Sequence, residues 1–567
     1  MTSSARRIAG AAALIAVITI AARVVGFGRI VVFTWAVGPN DLGNVYQSAN
    51  TLPNIIFEIV AGGALASLVV PLLAGPIERG DREQVSRITS ALLTWTVALL
   101  VPLAVLVWLL AEPVMGLLSA DAGPEVVRVG AGMLRVFAPQ LPLYGIGIVL
   151  TGVLQAHHRF AWPALAPLLS SVTVVGAYAL FTVVSFRGAG IAEVNAAGVL
   201  TLSVGTTLGV AVLSLCLVFP LARLGLRLRP GFALSAQVGG QLRGLAIAGA
   251  VTVGAQQVAL LVVVYLTNPP ALEGTLILYT IAQTLFFLPW GVLAVPVATS
   301  AYPALAEAYA TGAEARYRRT LAGTMRGVLL LGCVGAAGLV AVAEPAARVI
   351  GELAADKPDF GALTAGIAWF APGLIGYSLF ALLTRALYAR GQTGIAARVT
   401  AVGWGVVIVA DLLLVWWLPR PDRVAALAAG NSIGMVVLGA LLWWAVGRRA
   451  GRTALTGTLR AGSVGIVAGC LAAAAGWYAG HLLFRDQTMG ANLGQGLVAG
   501  AVTLAVFAAV ALLADRGDLI GLVGRLRGHK PPPDGTSETD AGTSETAAGE
   551  SDGSDASHGR QRKGTVS

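Results

Sequence analysis

Charge is scarce in this chain of 567 residues: Asp, Glu, Lys and Arg make up 12% of it, whereas 56% is hydrophobic. An ordinary soluble domain carries roughly 25% charged residues, so a water-soluble globular protein is excluded. Lysine is nearly missing. Lys357, Lys530 and Lys563 are the whole complement, and none lies in a GxxxxGK[ST] loop, which argues against an ATP-driven pump. Cysteine is as sparse: Cys216, Cys333 and Cys470 sit on separate apolar stretches without CxxC spacing, so neither a disulfide framework nor a zinc site is indicated. No long polar loop offers the acid cluster that a membrane-embedded glycosyltransferase would need. The chain therefore reads as something other than an enzyme, with no metal or organic cofactor. Its net charge of +10 calls for no nucleic-acid partner, because basic loops beside apolar segments account for it.

What the chain has in abundance is apolar length. A helix needs roughly 20 mostly apolar residues to cross the hydrocarbon core. Fourteen such stretches recur, at about 8–37, 48–75, 88–112, 124–155, 160–184, 195–220, 240–266, 274–302, 322–345, 361–389, 394–418, 424–446, 458–483 and 494–515. Their length and Gly/Ala content fit packed helices better than barrel strands, so the expected fold is an all-α polytopic membrane protein. Arginines gather on alternate connections: Arg6 and Arg7, Arg79 to Arg87, Arg223 to Arg229, Arg316 to Arg319, Arg390 and Arg398, Arg448 to Arg452, and Arg525 with Arg527. By the positive-inside rule both termini are expected in the cytoplasm. The first apolar segment is too long for a cleavable signal and should stay as an anchor. After residue 530 the sequence turns into a Ser/Thr/Gly/Asp-rich tail with almost nothing apolar, which is expected to be disordered.

The chain also repeats itself. "FAPQLPLYGIGIVLTGVLQAHHRF" from Phe137 aligns without a gap on "FAPGLIGYSLFALLTRALYARGQT" from Phe370, and "PLLAGPIERGDREQVSR" from Pro71 aligns on "PALAEAYATGAEARYRR" from Pro303. The second alignment matches Gly80 to Gly312 and Arg87 to Arg319. Both offsets carry a span onto the one six further along, an even number, so the copies share an orientation. The expected organisation is two pseudo-symmetric six-helix lobes, residues 1–230 and 231–450, with two extra helices in 451–516 and a juxtamembrane segment and tail in 517–567. Such lobes can rock about a midplane site, which suggests a transporter.

Polar residues within the apolar spans mark candidate sites. Arg23 lies about 22 Å along a helix that starts near residue 8, close to mid-membrane, where lipid is its least favourable neighbour. It should face a wet cavity or pair with a carboxylate such as Glu58. Arg29 is nearer the boundary and either snorkels outward or faces the same cavity. Six residues separate them, about 120° on an ideal helix, so one shared cavity would take a bend at Gly26 or Gly28, unless those glycines are packing surfaces. The planar guanidinium fork matches phosphate oxygens, so an anionic, phosphate-bearing substrate follows. Asp411, inside the eleventh span, and Glu58 are candidates for proton or sodium coupling, the alternative for Asp411 being a hydrogen-bonded structural acid. Pro53, Pro142, Pro289 and Pro372 should bend their helices.

Together "ARVVGFGR", "ANTLPNIIFEIVAGGALASLVVPLL", "RFAWPALAP", "LPWGVLAVPVATSAYPALA" and "FAPGLIGYSLFALLTRALYAR" resemble motifs of the MurJ (MviN) lipid II flippases, within the MOP exporter superfamily, across nearly all of residues 8–515. That resemblance implies movement of an undecaprenyl-diphosphate-linked peptidoglycan precursor from the cytoplasmic to the outer leaflet of a bacterial plasma membrane. The cell-wall synthesis machinery would be its neighbour, the membrane potential, H+ or Na+ its energy source, and the last two helices a groove for the lipid tail. It also assigns substrate binding to Arg23, Arg29, Asn54 and Arg135. The chain departs from the family where Phe57 and Thr284 stand at positions commonly arginine and Asn44 at one commonly acidic. Export of another lipid-linked glycan or amphiphile, or a non-transporting scaffold, remains the alternative.

Overall fold

The computed structural model describes residues 3–60, 66–119, 123–232, 236–268, 274–354, 360–484 and 488–514. The expected tail and its basic juxtamembrane segment lie outside them. All regular structure among the described residues is helical. The order is α1 (Ser3–Ala36), α2 (Asp41–Val60), α3 (Ala66–Glu78), α4 (Arg82–Leu109), α5 (Ala111–Leu118), α6 (Pro124–Phe137), α7 (Gln140–Ala156), α8 (Ala161–Val184), α9 (Ala196–Leu215) and α10 (Val218–Ala222). Then come α11 (Ala236–Thr267), α12 (Thr275–Pro289), a π-helical turn (Trp290–Ala294), α13 (Val295–Ala310), α14 (Glu314–Leu353), α15 (Phe360–Ala389), α16 (Thr393–Trp417), α17 (Arg423–Ala450), α18 (Thr458–Leu483) and α19 (Met489–Ala514).

Eleven helical rods among the described residues are long and apolar enough to cross a membrane. They coincide with eleven of the expected spans. The other three expected spans, 8–37, 48–75 and 240–266, are helical where described, as α1, α2 with α3, and α11, residues 61–65 of the second lying outside the described set. Burial separates axis from periphery. In the most apolar stretch of α15, 72% of residues are buried, against 22% in α19, so α15 runs through packed protein while α19 turns most of its surface to lipid.

The internal repeat is visible in the backbone. Gly80 and Gly312, paired by the sequence offset, both take φ +71° in the turns entering α4 and α14. Gly391 has φ +70°, and its partner under the other offset is His158, the non-glycine residue with positive φ (57°) among the described residues. Positive φ is uncommon outside glycine, so the second copy places glycine where the turn demands it and the first holds histidine there under strain.

The prolines act differently from one another. The break expected at Pro142 falls instead at Ala138–Pro139, between α6 and α7, because Pro142 occupies the first turn of α7, where a missing N–H is harmless. Pro289 leads into the π-helical turn. At Pro372 α15 continues, but its ladder is opened. The Ser432 hydroxyl is inserted beside it, accepting from the Gly373 N–H at 3.0 Å and donating to the Trp369 carbonyl at 2.6 Å, which restores the ladder with a side chain of α17.

At the end of the bundle that holds Asn40, the helices preceding α11 and those from α11 onward close on each other. Asn268 donates to Ser48 Oγ and to the Leu118 carbonyl, both at 2.9 Å. Arg187 donates to the Trp35 carbonyl at 2.8 Å, lies over the Trp35 ring and donates also to the Leu353 carbonyl. A methyl group on Gly274 would overlap the Pro39 carbonyl, and one on Gly43 would overlap Ile277, so only glycine permits this approach.

Candidate functional site

The site grows from α1. The helix runs unbroken from Ser3 to Ala36, and a Cβ placed on Gly26 or Gly28 would meet nothing within 4 Å. These glycines do not pack against a neighbour among the described residues; they leave open space beside the arginines. The two guanidinium groups accordingly address different walls. Arg23 is exposed and forms no ion pair among the described residues. Its Nη1 lies 3.8 Å from where a Cβ on Gly291 would sit, so it reaches the π-helical turn between α12 and α13. Next to it in sequence Val24 is 65% exposed, and next to Gly291 Val292 is 70% exposed, so apolar surface adjoins the arginine on both elements.

Arg29 is half-buried and within electrostatic reach of Tyr46, Tyr144 and Tyr178. Below it the Tyr46 hydroxyl is bonded to Tyr178 Oη at 2.8 Å and Thr206 Oγ1 at 2.6 Å, with Phe33 stacked on Tyr46. Asn54, on α2, accepts from the Tyr144 hydroxyl at 2.8 Å and donates to the Asn50 carbonyl at 2.8 Å, which fixes its amide. Phe57 packs on Tyr144 with ring centroids 4.3 Å apart. Glu58 is exposed, without an ion pair among the described residues, and lies within reach of both Tyr144 and Tyr377 on α15. It therefore stands between α7 and α15.

The facing wall is aromatic. Trp290 donates from Nε1 to the Tyr377 carbonyl at 3.1 Å and packs on the Tyr377 ring, which in turn stacks on Phe380. Thr284, where the family resemblance would place a cation, donates its hydroxyl to the Thr280 carbonyl. A π-helical turn is a rare element that frequently marks functional sites.

Among the described residues, Arg29, Asn54 and Glu58 thus converge on Tyr144, and Arg23 lies beside Gly291, next to the Trp290 that packs on Tyr377. The structure does not place Arg135 among them by any bond: that side chain forms an ion pair with Glu112 at 3.0 Å and lies over the Trp108 ring. Asp411 is elsewhere too. It is 0% exposed on α16, against Gly430 of α17, where a methyl group would overlap its Oδ1. Among the described residues neither carboxylate oxygen has a hydrogen-bond partner, nor does Oδ1 of Asn431, 4% exposed. Asp411 thus lacks the hydrogen bonds of a structural acid. Sequence analysis missed Arg385. It is half-buried on α15, two turns beyond Tyr377, its Nη1 2.6 Å from the Ala381 carbonyl and within electrostatic reach of Tyr302 and Tyr388. Its repeat partner is Gly152, so the repeat gave no signal, although the quoted α15 motif contains it.

Comparison with known proteins identifies the family. The chain is 28% identical over 454 residues to a probable lipid II flippase MurJ of Rhizobium tropici, covering 76% of this chain and 81% of that one. It is 24% identical over 426 residues to a probable lipid II flippase MurJ of Thermotoga maritima, covering 74% and 82%. Among solved structures, a lipid II flippase MurJ in an inward closed conformation superposes with a TM-score of 0.72 at 17% identity, over 89% of this chain and 99% of that one. An inward-facing multidrug resistance MATE family transporter of the MOP superfamily gives 0.60 at 13% identity, over 76% and 98%. These two likenesses show the fold. The profile of the family described as lipid II flippase MurJ matches residues 34–494, and the chain belongs to that family: it is a membrane transporter of peptidoglycan precursor and not an enzyme.

Proposed function

We propose that this flippase binds the diphosphate of lipid II at Arg23 and Arg29, and carries it from the cytoplasmic to the outer leaflet as the halves 1–230 and 231–450 rock against each other. The observation that carries the reading is Arg23: exposed, free of any carboxylate partner among the described residues, and facing the π-helical turn between α12 and α13. A cation held this way is available to a phosphate and supplies the charge-assisted, forked hydrogen bonds that a diphosphate accepts. The apolar surface at Val24 and Val292 lets the polyprenyl chain stay in the bilayer, with α18 and α19 offering further lipid-facing surface for it. Charge asymmetry supports cytoplasmic termini, a reading in which the Asn40 end, closed by Asn268 and Arg187, faces outward.

An inside-negative potential drives an anion outward by about 2.3 kcal/mol per charge per 100 mV, which makes the membrane potential a sufficient energy source. Asp411, buried and without hydrogen-bond partners among the described residues, is the candidate for additional H+ or Na+ coupling. Glu58, which is exposed, is the weaker candidate. The cell-wall synthesis enzymes that supply and consume lipid II are the natural protein neighbours. The test is complementation of a flippase-depleted bacterium combined with leaflet-specific labelling of lipid II. Arg23→Ala is expected to abolish both rescue and outer-leaflet labelling at unchanged membrane levels. Normal labelling with Arg23→Ala would remove the arginine from the mechanism.

A further inference from the structure

After α10 the chain does not cross directly to the second half. Residues 225–232 lie along α4, and every second backbone N–H is handed to a hydroxyl one helical turn further on. The N–H of Arg227 donates to Ser86 Oγ at 3.2 Å, that of Arg229 to Ser90 Oγ at 3.0 Å and that of Gly231 to Thr94 Oγ1 at 3.1 Å. Two residues of extended chain rise about 6.6 Å and four residues of α-helix about 6.0 Å, so the two registers stay nearly in step. Pro230 falls at an alternate position where no N–H is asked for. Trp95 completes the ladder, donating from Nε1 to the Phe232 carbonyl at 3.3 Å with the two rings edge to face. Irregular backbone beside a membrane needs partners for its polar groups, and this spacing of Ser, Ser and Thr supplies them to the N–H groups of Arg227, Arg229 and Gly231.

The strap also makes a groove. Leu224 and Leu226 pack inward against the cluster containing Val85 and Leu92. Beyond them a cavity of about 380 Å³ opens between strap and helix, walled by Leu93, Val97, Ala98 and Leu228, with Arg229 and Pro230 at its rim. That volume is within the roughly 300–1,000 Å³ usual for ligand clefts. Arg229 and Arg227 are exposed, two residues apart on the strap, and Arg223 precedes them. An apolar trough ending at exposed arginines is complementary to one class of molecule with an acyl chain and a negative headgroup.

We propose that this groove holds an anionic phospholipid of the leaflet that bears the arginine-rich connections, its acyl chain against Val97 and Leu93 and its phosphate on Arg229. The inference is independent of where lipid II binds. The test is native mass spectrometry of the full-length protein in detergent micelles supplemented with dioleoylphosphatidylglycerol or dioleoylphosphatidylcholine. Wild type is expected to retain phosphatidylglycerol at least threefold over phosphatidylcholine. Arg229→Gln, which removes the phosphate partner, and Val97→Trp, which fills the trough from the opposite wall, should each reduce that preference to near unity, while Arg452→Gln at a remote loop leaves it intact. Equal retention of the two lipids by wild type, or a wild-type preference in either Arg229→Gln or Val97→Trp, would overturn the proposal.

Discussion

Arg23 and Asp411 were legible in the sequence for the same reason: a charge inside an apolar run is costly in lipid and so needs an explanation. Their surroundings were not legible, because partners came from distant elements. Tyr144 is 90 residues from the Asn54 amide it fixes, and Glu112 is 23 from Arg135. Glu58 and Arg29 both lie within electrostatic reach of Tyr144, so Glu58→Gln, removing the opposing charge, should strengthen binding of lipid II severalfold in a detergent-based binding assay. Gly430→Ala would force a methyl group onto Asp411 and is expected to destabilise the protein by about 1–3 kcal/mol, the usual range for an overpacked core, read as a lower melting temperature in detergent. If Asp411 couples transport to an ion, Asp411→Asn should abolish stimulation by that ion's gradient while leaving potential-driven flipping and the melting temperature near wild type.

Helices were the most legible elements, since apolar length announces them directly. Turns were legible only where a glycine was repeated, as at Gly80 and Gly312; the matching turn at His158 carries no glycine and became visible only through its backbone. Interruptions were read less well. A proline's effect depends on what stands beside it, as Ser432 beside Pro372 shows. The strap along α4 was invisible as structure, because its register rests on hydroxyls 137 to 141 residues away in sequence. The seal at the Asn40 end gives the sharpest prediction at this scale. If it must open for release, a cross-link between cysteines replacing Ser48 and Asn268 should stop flipping almost completely, and reduction should restore it. Undiminished flipping in the cross-linked protein would mean that the two halves do not part there.

For the whole molecule, the internal repeat and the span count carried the architecture, and the family match over residues 34–494 gives it a transport function. The proposed energy source makes a prediction of its own. Collapsing the potential in vesicles should slow outward movement of lipid II at least tenfold, since a fully crossed negative charge is worth about 2.3 kcal/mol per 100 mV. The account as a whole depends on a cleft that water and a headgroup enter from one side at a time. Gly291→Cys, in a chain whose Cys216, Cys333 and Cys470 are replaced by serine or alanine, places a thiol beside Arg23. With a membrane-impermeant thiol reagent, it should be labelled from the cytoplasmic face while the Asn268 seal is closed, and saturating lipid II should protect it. Labelling from neither face, or labelling that lipid II leaves unchanged, would contradict the account.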